Sequence, residues 1–261
     1  MSPDFGPDDF YVFAALAMIG SFVGAAFLLW LSQCSRMAPL IRSFRGIAPN
    51  YLSVIGVLFA LNLVFLANDT WHAHDRALDA VVQEAGALHS IMALSRPLPE
   101  PTRIKVETAV RGYAGLTATA EWPLLAHRGS SQAASDQLDT LLALLASDEV
   151  GQVLSPGVHA LILRQAIAVR NTRGERLALS QTHVNPLKWL GMAFLGFVMM
   201  IAIVMVHVDQ ARAEALAILL FAIAAAPTAA IILVQGNPFQ LPAAVSAAPI
   251  AALAETSATG R

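Results

Sequence analysis

Charged residues are scarce in this sequence. Only 13% of its 261 residues are Asp, Glu, Lys or Arg, whereas soluble domains contain about 25%. Hydrophobic residues make up 56% and the mean hydropathy is +0.60, so the composition predicts an integral membrane protein. The formal net charge of −2 argues against a nucleic-acid partner, which would require a basic surface.

Cysteine occurs only once, as Cys34. This excludes an intramolecular disulfide and a zinc site built from several cysteines. The sequence also lacks a nucleotide-binding loop, a Gly-x-Ser-x-Gly elbow, a zinc-binding His-Glu pair and a two-cysteine motif. We therefore predict that the protein is not an enzyme and uses no cofactor.

Four segments are long and apolar enough to cross a bilayer, which takes about 20 residues. None has a charge at its centre, and Lys188, at one end of the third, can reach the interface. The first segment is too long for a signal peptide and follows acidic rather than basic residues. The predicted spans are residues 11–31, 51–67, 187–206 and 215–234.

A polar block separates the two hairpins of spans and carries 22 of the 34 charged residues. Its apolar residues recur at three- and four-residue steps, which predicts helices almost throughout, one of them at about 102–121. Ser135 and Ser155 are predicted N-caps, and the second span continues into the block without a helix breaker. The predicted domains are a first transmembrane hairpin, 1–67, a helical extramembrane domain, 68–186, a second hairpin, 187–234, and a C-terminal tail, 235–261.

The fold class that follows is an all-α membrane protein with four transmembrane helices. Its orientation is predicted by the short loops, because Lys and Arg are enriched on the cytoplasmic side. The first hairpin loop contains Arg36, Arg42 and Arg45, and the second contains Arg212. This places both termini and the helical domain outside the inner membrane, in the periplasm of a Gram-negative cell.

The sequence NDTWHAHD, just after the second span, contains the best candidate metal ligands. Asp69, His72, Asp75 and Asp79 are spaced so that one helix face could present all four, and divalent metals accept such ligands. The alternative is an exposed polar face just outside the membrane, with Trp71 as an interfacial anchor. We favour this alternative, because one helix alone rarely completes a coordination sphere.

Glu121 and Trp122 end a predicted helix of the extramembrane domain and are candidates for a structural contact. Arg170, Arg173 and Arg176 lie near one face of the last helix of that domain. A carboxylate on a neighbouring helix could bridge these arginines. The functional alternative is an anion site built from the arginines, and we favour the structural interpretation.

The second span contains one deep polar side chain, Asn62. The residues Ile55, Phe59, Asn62, Leu66 and Asp69 lie on one helical stripe. A polar residue at this depth usually faces protein or a pore. It therefore either makes an interhelical hydrogen bond or lines a pore in which Phe59 forms an apolar, dewettable neck.

The order of two spans, a helical block, two more spans and an Asn-Pro-Phe element resembles the bacterial bestrophin-like domain family. The motifs QEAGAL, YAGLTATAEWP, RNTRGERL, NPLKWL and NPF carry the resemblance, which covers about residues 10–250. It implies a homo-oligomeric, pentameric channel for small anions such as chloride, embedded in the lipid bilayer, with a pore lined by the second span.

The resemblance also implies that Asn237, Pro238 and Phe239 anchor the tail or act as a gate. In bestrophins a calcium-binding clasp follows this element, but here Gln240 replaces a glycine and no acidic run follows. A calcium site is therefore not expected. Bestrophins hold their helical domain in the cytosol, which is opposite to the orientation that the arginines predict.

The alternative function is a membrane sensor or scaffold protein whose helical bundle binds a ligand or partner. Long helices in such a protein could transmit a shift through the second and third spans. A sensor needs an output module, and none follows the fourth span in this sequence. The anion channel is therefore the leading hypothesis.

Overall fold

The computed structural model describes residues 9–43, 49–181 and 186–255. Every regular element within these ranges is helical, so the predicted all-α class is confirmed. The helices are α1 Asp9–Gln33, α2 Ala38–Ser43, α3 Pro49–Leu94, α4 Glu100–Leu116, α5 Trp122–Leu125, α6 Gln132–Leu145, α7 Asp148–Gly151, α8 Pro156–Ser180, α9 Pro186–His207, α10 Ala211–Val234 and α11 Ala248–Glu255.

The chain divides into two compact units. The first comprises residues 1–71 and 183–236, and the second comprises residues 72–182 and 237–261. The long helix α3 contributes to both. The tail, predicted as a separate segment, belongs to the second unit from residue 237 onward.

The first unit contains four helices that can cross a membrane, which confirms the four predicted spans. The candidate spans lie within Tyr11–Gln33, Tyr51–Leu94, Leu187–His207 and Ala211–Val234.

Helix α10 packs along α1 and α9 through small and flexible side chains such as Ala25, Met200 and Ala222. At one end of this packing, Ser32 Oγ and Gln33 Nε2 donate hydrogen bonds to the carboxylate of Glu214, which is fully buried. These bonds fix the end of α1 against the start of α10.

Helix α3 runs for 46 residues, as the absence of a breaker predicts. Its second half, together with α4, α6 and α8, buries an apolar core that includes Val81, Leu88, Tyr113 and Leu141. Helix α11 of the tail packs against α4 and adds Ile250 to this core. The tail is therefore part of the folded second unit.

Two sequence predictions about helix ends have different outcomes. Ser155 caps α8, since its side chain accepts a hydrogen bond from the Val158 N–H. The predicted cap at Ser135 is wrong, because α6 begins one turn earlier and Ser131 accepts the capping bond from the Ala134 N–H.

The helix predicted at about 102–121 is interrupted by a π-helical turn, Thr117–Glu121, between α4 and α5. Pro123 supplies a physical reason, because proline has no N–H and its ring crowds the carbonyl of the residue four positions earlier, Thr119. The wider turn relieves this crowding and changes the register at Glu121 and Trp122.

Candidate functional site

The interior of the second unit contains two carboxylates and two guanidinium groups. Glu84 comes from α3, Glu121 from the π-helical turn, and Arg173 and Arg176 from α8. Three of them have no exposed surface, and Arg173 is 9% exposed. The four charges sum to zero, so each charge has a partner within the cluster, which favours a structural role over an anion site.

Arg176 connects both carboxylates. Its Nε lies 2.9 Å from Glu84 Oε2 and its Nη2 lies 3.1 Å from Glu84 Oε1. The same Nη2 lies 2.9 Å from Glu121 Oε1. Tyr113 completes the set, because its hydroxyl donates a 2.6 Å hydrogen bond to Glu84 Oε1. Bidentate contacts of this kind fix both the distance and the orientation of the paired groups.

Arg173 binds only Glu121 among the carboxylates of the cluster. Its Nε lies 3.2 Å from Glu121 Oε1 and its Nη2 lies 2.5 Å from Oε2. The Nη2 group also donates to Ser135 Oγ at 2.8 Å, and the Ser131 N–H donates to Glu121 Oε2 at 3.3 Å. The start of α6 is thereby linked to the π-helical turn and α8.

The ionisation of the cluster follows from this geometry. Burial alone would raise the pKa of Glu121, but the hydrogen bond from Arg173 and the charges of Arg176 and Arg173 outweigh it and lower that pKa. Burial would likewise lower the pKa of Arg176, and the charge and hydrogen bonds of Glu84 reverse this effect. The pKa of Tyr113 is raised well above its usual value by burial and by the Glu84 charge. Glu121 and both arginines therefore keep their charges at neutral pH, and the Tyr113 hydroxyl stays neutral.

Trp122 joins the cluster to the tail. The guanidinium carbon of Arg176 lies 5.1 Å from the centre of the Trp122 ring, within the range of a cation–π contact. On another side, the Trp122 ring meets the Phe239 ring edge to face at 5.6 Å, and its Nε1 donates to the Val245 carbonyl at 3.2 Å. Within the tail, the Val245 N–H donates a 2.9 Å hydrogen bond to the Pro238 carbonyl.

Asn237 holds the start of the tail. Its Nδ2 donates to the carbonyls of Leu125 and Ala126 at 3.1 and 3.3 Å, and its Oδ1 accepts from the Phe239 N–H at 3.0 Å. Phe239 itself is 5% exposed and belongs to the apolar core. These contacts support the predicted role of the Asn-Pro-Phe element as an anchor of the tail.

The predicted contact between Glu121 and the arginines of α8 involves two of the three arginines. Arg170 is exposed and lies outside the cluster. Sequence reasoning missed Glu84 and Tyr113. Glu84 carries a usable signal, because this acid occupies a position on α3 where the helical period predicts an apolar core residue.

The predicted pore stripe faces other helices of the same chain. The Phe59 ring lies 5.4 Å from the Phe221 ring, and Asn62 Nδ2 lies 3.9 Å from the point where a Cβ on Gly191 would stand. Leu66 is buried with Met192. Ile55, at the start of the stripe, is half-buried.

The opposite side of the membrane part of α3 is free within the chain. Val57, Leu61 and Phe65 follow one another at four-residue steps and are 58%, 49% and 65% exposed. Fewer residues are buried in this span than in any of the other three. This side of α3 is therefore available to face lipid, another subunit or a pore.

The predicted metal ligands do not form a site. Asp69 forms an ion pair with Lys188, and His72, Asp75 and Asp79 are exposed. Across residues 9–43, 49–181 and 186–255, no group of three or more His, Cys, Asp or Glu side chains is placed to hold a metal ion. In the structure, this stretch is an exposed polar part of α3.

The structure describes three of the four loop arginines on which the predicted orientation rests. Arg36, Arg42 and Arg212 are exposed, as positively charged groups near a membrane surface should be. Arg45 lies outside the described residues, as does Asn185, the first residue of the NPLKWL motif.

Solved structures with the same fold include those of a bacterial bestrophin homologue. A mutant of a bacterial bestrophin homologue from Klebsiella pneumoniae has a TM-score of 0.58 at 13% identity, with 95% of each chain covered. A second structure of a bestrophin homologue from this organism has a TM-score of 0.58 at 14% identity, with 93% of each chain covered.

A third structure, of a membrane protein, has a TM-score of 0.62 at 13% identity and covers 93% of this chain and 94% of that one. No curated protein matches the chain. At the level of sequence, the model of the bestrophin-like domain matches residues 19–250, which is most of the chain. The chain therefore belongs to the bestrophin-like family.

Proposed function

We propose that copies of this chain assemble, as a pentamer, into a channel that conducts small anions across the inner membrane. The observation that carries the proposal is the free apolar side of α3 in a chain of the bestrophin-like family. Lipid could cover this side, but in an assembly of the kind that the family suggests, symmetric packing places it against other subunits around a central axis. The pore then runs along the membrane part of α3.

The residues that face the axis are Val57, Leu61 and Phe65 in this proposal. A ring of such side chains forms a narrow apolar constriction, which closes by dewetting and needs no ordered ligand. The stripe of Ile55, Phe59 and the residues that follow it is the competing assignment. Phe59 and Leu61 are separated by about 200° around the helix, so that assignment requires α3 to rotate by roughly half a turn.

The matched pair Phe65→Ala and Phe59→Ala separates the two assignments. Each variant removes one phenylalanine ring from α3. We expect Phe65→Ala to raise chloride flux into proteoliposomes by several-fold, because it widens the constriction. Phe59→Ala should leave flux per assembled particle unchanged and lower thermal stability, because Phe59 packs against Phe221. The opposite pattern of fluxes would establish the Phe59 stripe as the pore lining.

Assembly is tested separately from conduction. Particle mass in detergent and nanodiscs, together with low-resolution images, gives the subunit number and shows whether a central hole exists. A monomer under both conditions contradicts the oligomer. An assembled wild-type protein that passes no anions contradicts the channel, even if its symmetry is that of a pentamer.

A further inference from the structure

The first unit contains a cavity of about 270 Å³ that is walled by all four membrane-spanning helices. Gly20 and Gly24 of α1, Phe59 of α3, and Trp189 and Met200 of α9 are among its lining residues, and α10 contributes mainly alanines. The lining is apolar apart from two side chains, Ser21 and Trp189. A water molecule would find few partners in such a cavity.

Small residues on α1 create the space. A Cβ on Gly20 would meet no heavy atom within 4 Å, whereas a Cβ on Gly24 would stand 3.5 Å from Met200 Cε. The cavity is therefore open to the surface beside the exposed Gly20 and narrows beside Gly24.

The length of the cavity matches one leaflet of a bilayer. On α9 its lining extends from Trp189 to Met200, and eleven steps of 1.5 Å give a depth of about 16 Å. The hydrocarbon core of a bilayer is about 30 Å thick. A molecule that fills the cavity along its length would therefore have the reach of one lipid acyl chain.

A polar group marks one end of the cavity. Trp189 Nε1 is buried, and among the described residues it has no hydrogen-bond partner. Ser21 Oγ, by contrast, donates to the Ala17 carbonyl at 2.8 Å. Trp189 is the fourth residue of α9, and tryptophan at the end of a span lies at the level of the lipid headgroups. Its indole N–H is therefore at the depth of lipid ester carbonyls, which are good acceptors.

We propose that this cavity binds one acyl chain of a membrane phospholipid, with Trp189 Nε1 donating a hydrogen bond to an ester carbonyl of that lipid. Hydrocarbon surrounds the four spans, and the cavity between them is open beside the exposed Gly20, so acyl chains have direct access to it. Because Phe59 forms part of the wall, the lipid would support the packed side of α3. The proposal concerns lipid binding and does not depend on ion conduction.

The test uses the full-length protein in nanodiscs of phosphatidylethanolamine and phosphatidylglycerol that include a phospholipid with a diazirine in its acyl chain. After illumination, labelled residues are mapped by mass spectrometry. We expect labels on cavity residues such as Trp189 and Met192, and Gly20→Leu should reduce them at least five-fold, because the new side chain fills the space. Ala26→Leu, which adds similar bulk at an exposed position on α1, should not reduce them.

Trp189→Phe separates the hydrogen bond from the packing. It keeps an aromatic ring in the wall and removes the N–H, so we expect cavity labelling to fall about five-fold, the effect of one lost hydrogen bond. Size-exclusion profiles and helical content identify any variant that misfolds. Labelling that is equal in Gly20→Leu and Ala26→Leu, labelling confined to outward-facing residues, or a cross-link that places a second copy in the cavity would each overturn the proposal.

Discussion

The guanidinium group of Arg176 and the carboxylate of Glu84, 92 positions apart in the chain, form a bidentate ion pair without exposed surface. Glu84 lies on α3, the helix that we propose to line the pore, and Arg176 lies on α8. The pair therefore fixes the second half of α3 against α8, inside the helical domain. The same guanidinium donates a hydrogen bond to Glu121 of the π-helical turn. It also lies over the ring of Trp122, which packs against Phe239 of the tail.

Replacing Arg176 should strongly destabilise the second unit. Arg176→Met removes the charge but retains apolar bulk, and it leaves the Glu84 carboxylate buried with only Tyr113 as a donor. Loss of one partner of a buried pair costs about 3–5 kcal/mol. We expect a loss of this size in the free energy of unfolding, measured by denaturant titration of the purified protein.

Arg76→Met is the matched control for this prediction. Arg76 pairs with Glu175 at 3.2 Å, but the two side chains are 63% and 44% exposed. An exposed pair contributes about 0–1 kcal/mol. Equal losses in the two variants would show that burial of the Arg176 cluster does not decide its contribution.

The lowered pKa of Glu121 predicts an acid-sensitive step in stability. In the folded protein this carboxyl binds its proton less tightly than in the unfolded chain. Its contribution is therefore complete above the unfolded pKa, about 4.3, and is lost as the pH falls from there through the folded pKa. We expect the free energy of unfolding to decrease below about pH 4.3, and the decrease to be smaller in Glu121→Gln.

Unfolding curves collected between about pH 3 and pH 7 measure this effect. Glu175→Gln is the control, because Glu175 forms an exposed pair with Arg76. If the free energy of unfolding falls with pH as steeply in Glu121→Gln as in the wild type, the acid sensitivity belongs to other carboxylates.

The four spans and the length of α3 could be predicted from the sequence for a physical reason. A segment in a membrane must satisfy its backbone groups internally, so a long apolar run without breakers has one common outcome, a helix. The contacts of Glu84 with Arg176 could not be predicted in the same way. Periodicity identifies the face on which each residue lies, but it does not identify the partner helix, and here the partner comes 92 positions later.

The sequence also does not predict which side of α3 packs against the rest of the chain. Both sides of its membrane part are apolar, so the helical period gives no direction there. Asn62 is compatible with a pore lining, but a polar side chain is equally suited to a helix interface. Packing between Phe59 and Phe221 and the burial of Leu66 establish which side is covered within the chain.

The Asn-Pro-Phe element predicts a third measurable effect. Phe239→Ala removes a ring that is 5% exposed and packs against Trp122, and such truncations cost about 3–5 kcal/mol. Leu241→Ala is the control, because Leu241 is 70% exposed and surface changes usually stay within about 0.5 kcal/mol. Thermal unfolding of both variants provides the comparison.

Flux measurements on Phe239→Ala then distinguish an anchor from a gate. Changed anion flux in a variant that assembles normally would identify the element as part of the gating mechanism. Loss of assembly together with loss of flux would leave it a structural anchor alone. A variant as stable as the wild type would contradict the packing role of Phe239.

The orientation of the protein can be tested with its one cysteine. Cys34 is exposed and lies two residues before Arg36, in the first hairpin loop. The arginines place this loop in the cytoplasm, whereas the orientation implied by bestrophins places it outside. If the arginines are right, a membrane-impermeant maleimide should label Cys34 only after the inner membrane has been opened.

A double variant, Cys34→Ser with Gln83→Cys, reports on the opposite side. Gln83 is an exposed residue on the second half of α3, so the thiol introduced there should react in cells whose inner membrane is intact. Because the natural and the introduced thiol are predicted on opposite sides, each serves as the control for the other. Labelling of Cys34 in intact cells, with the introduced thiol of the double variant protected, would reverse the predicted orientation and place the helical domain in the cytosol.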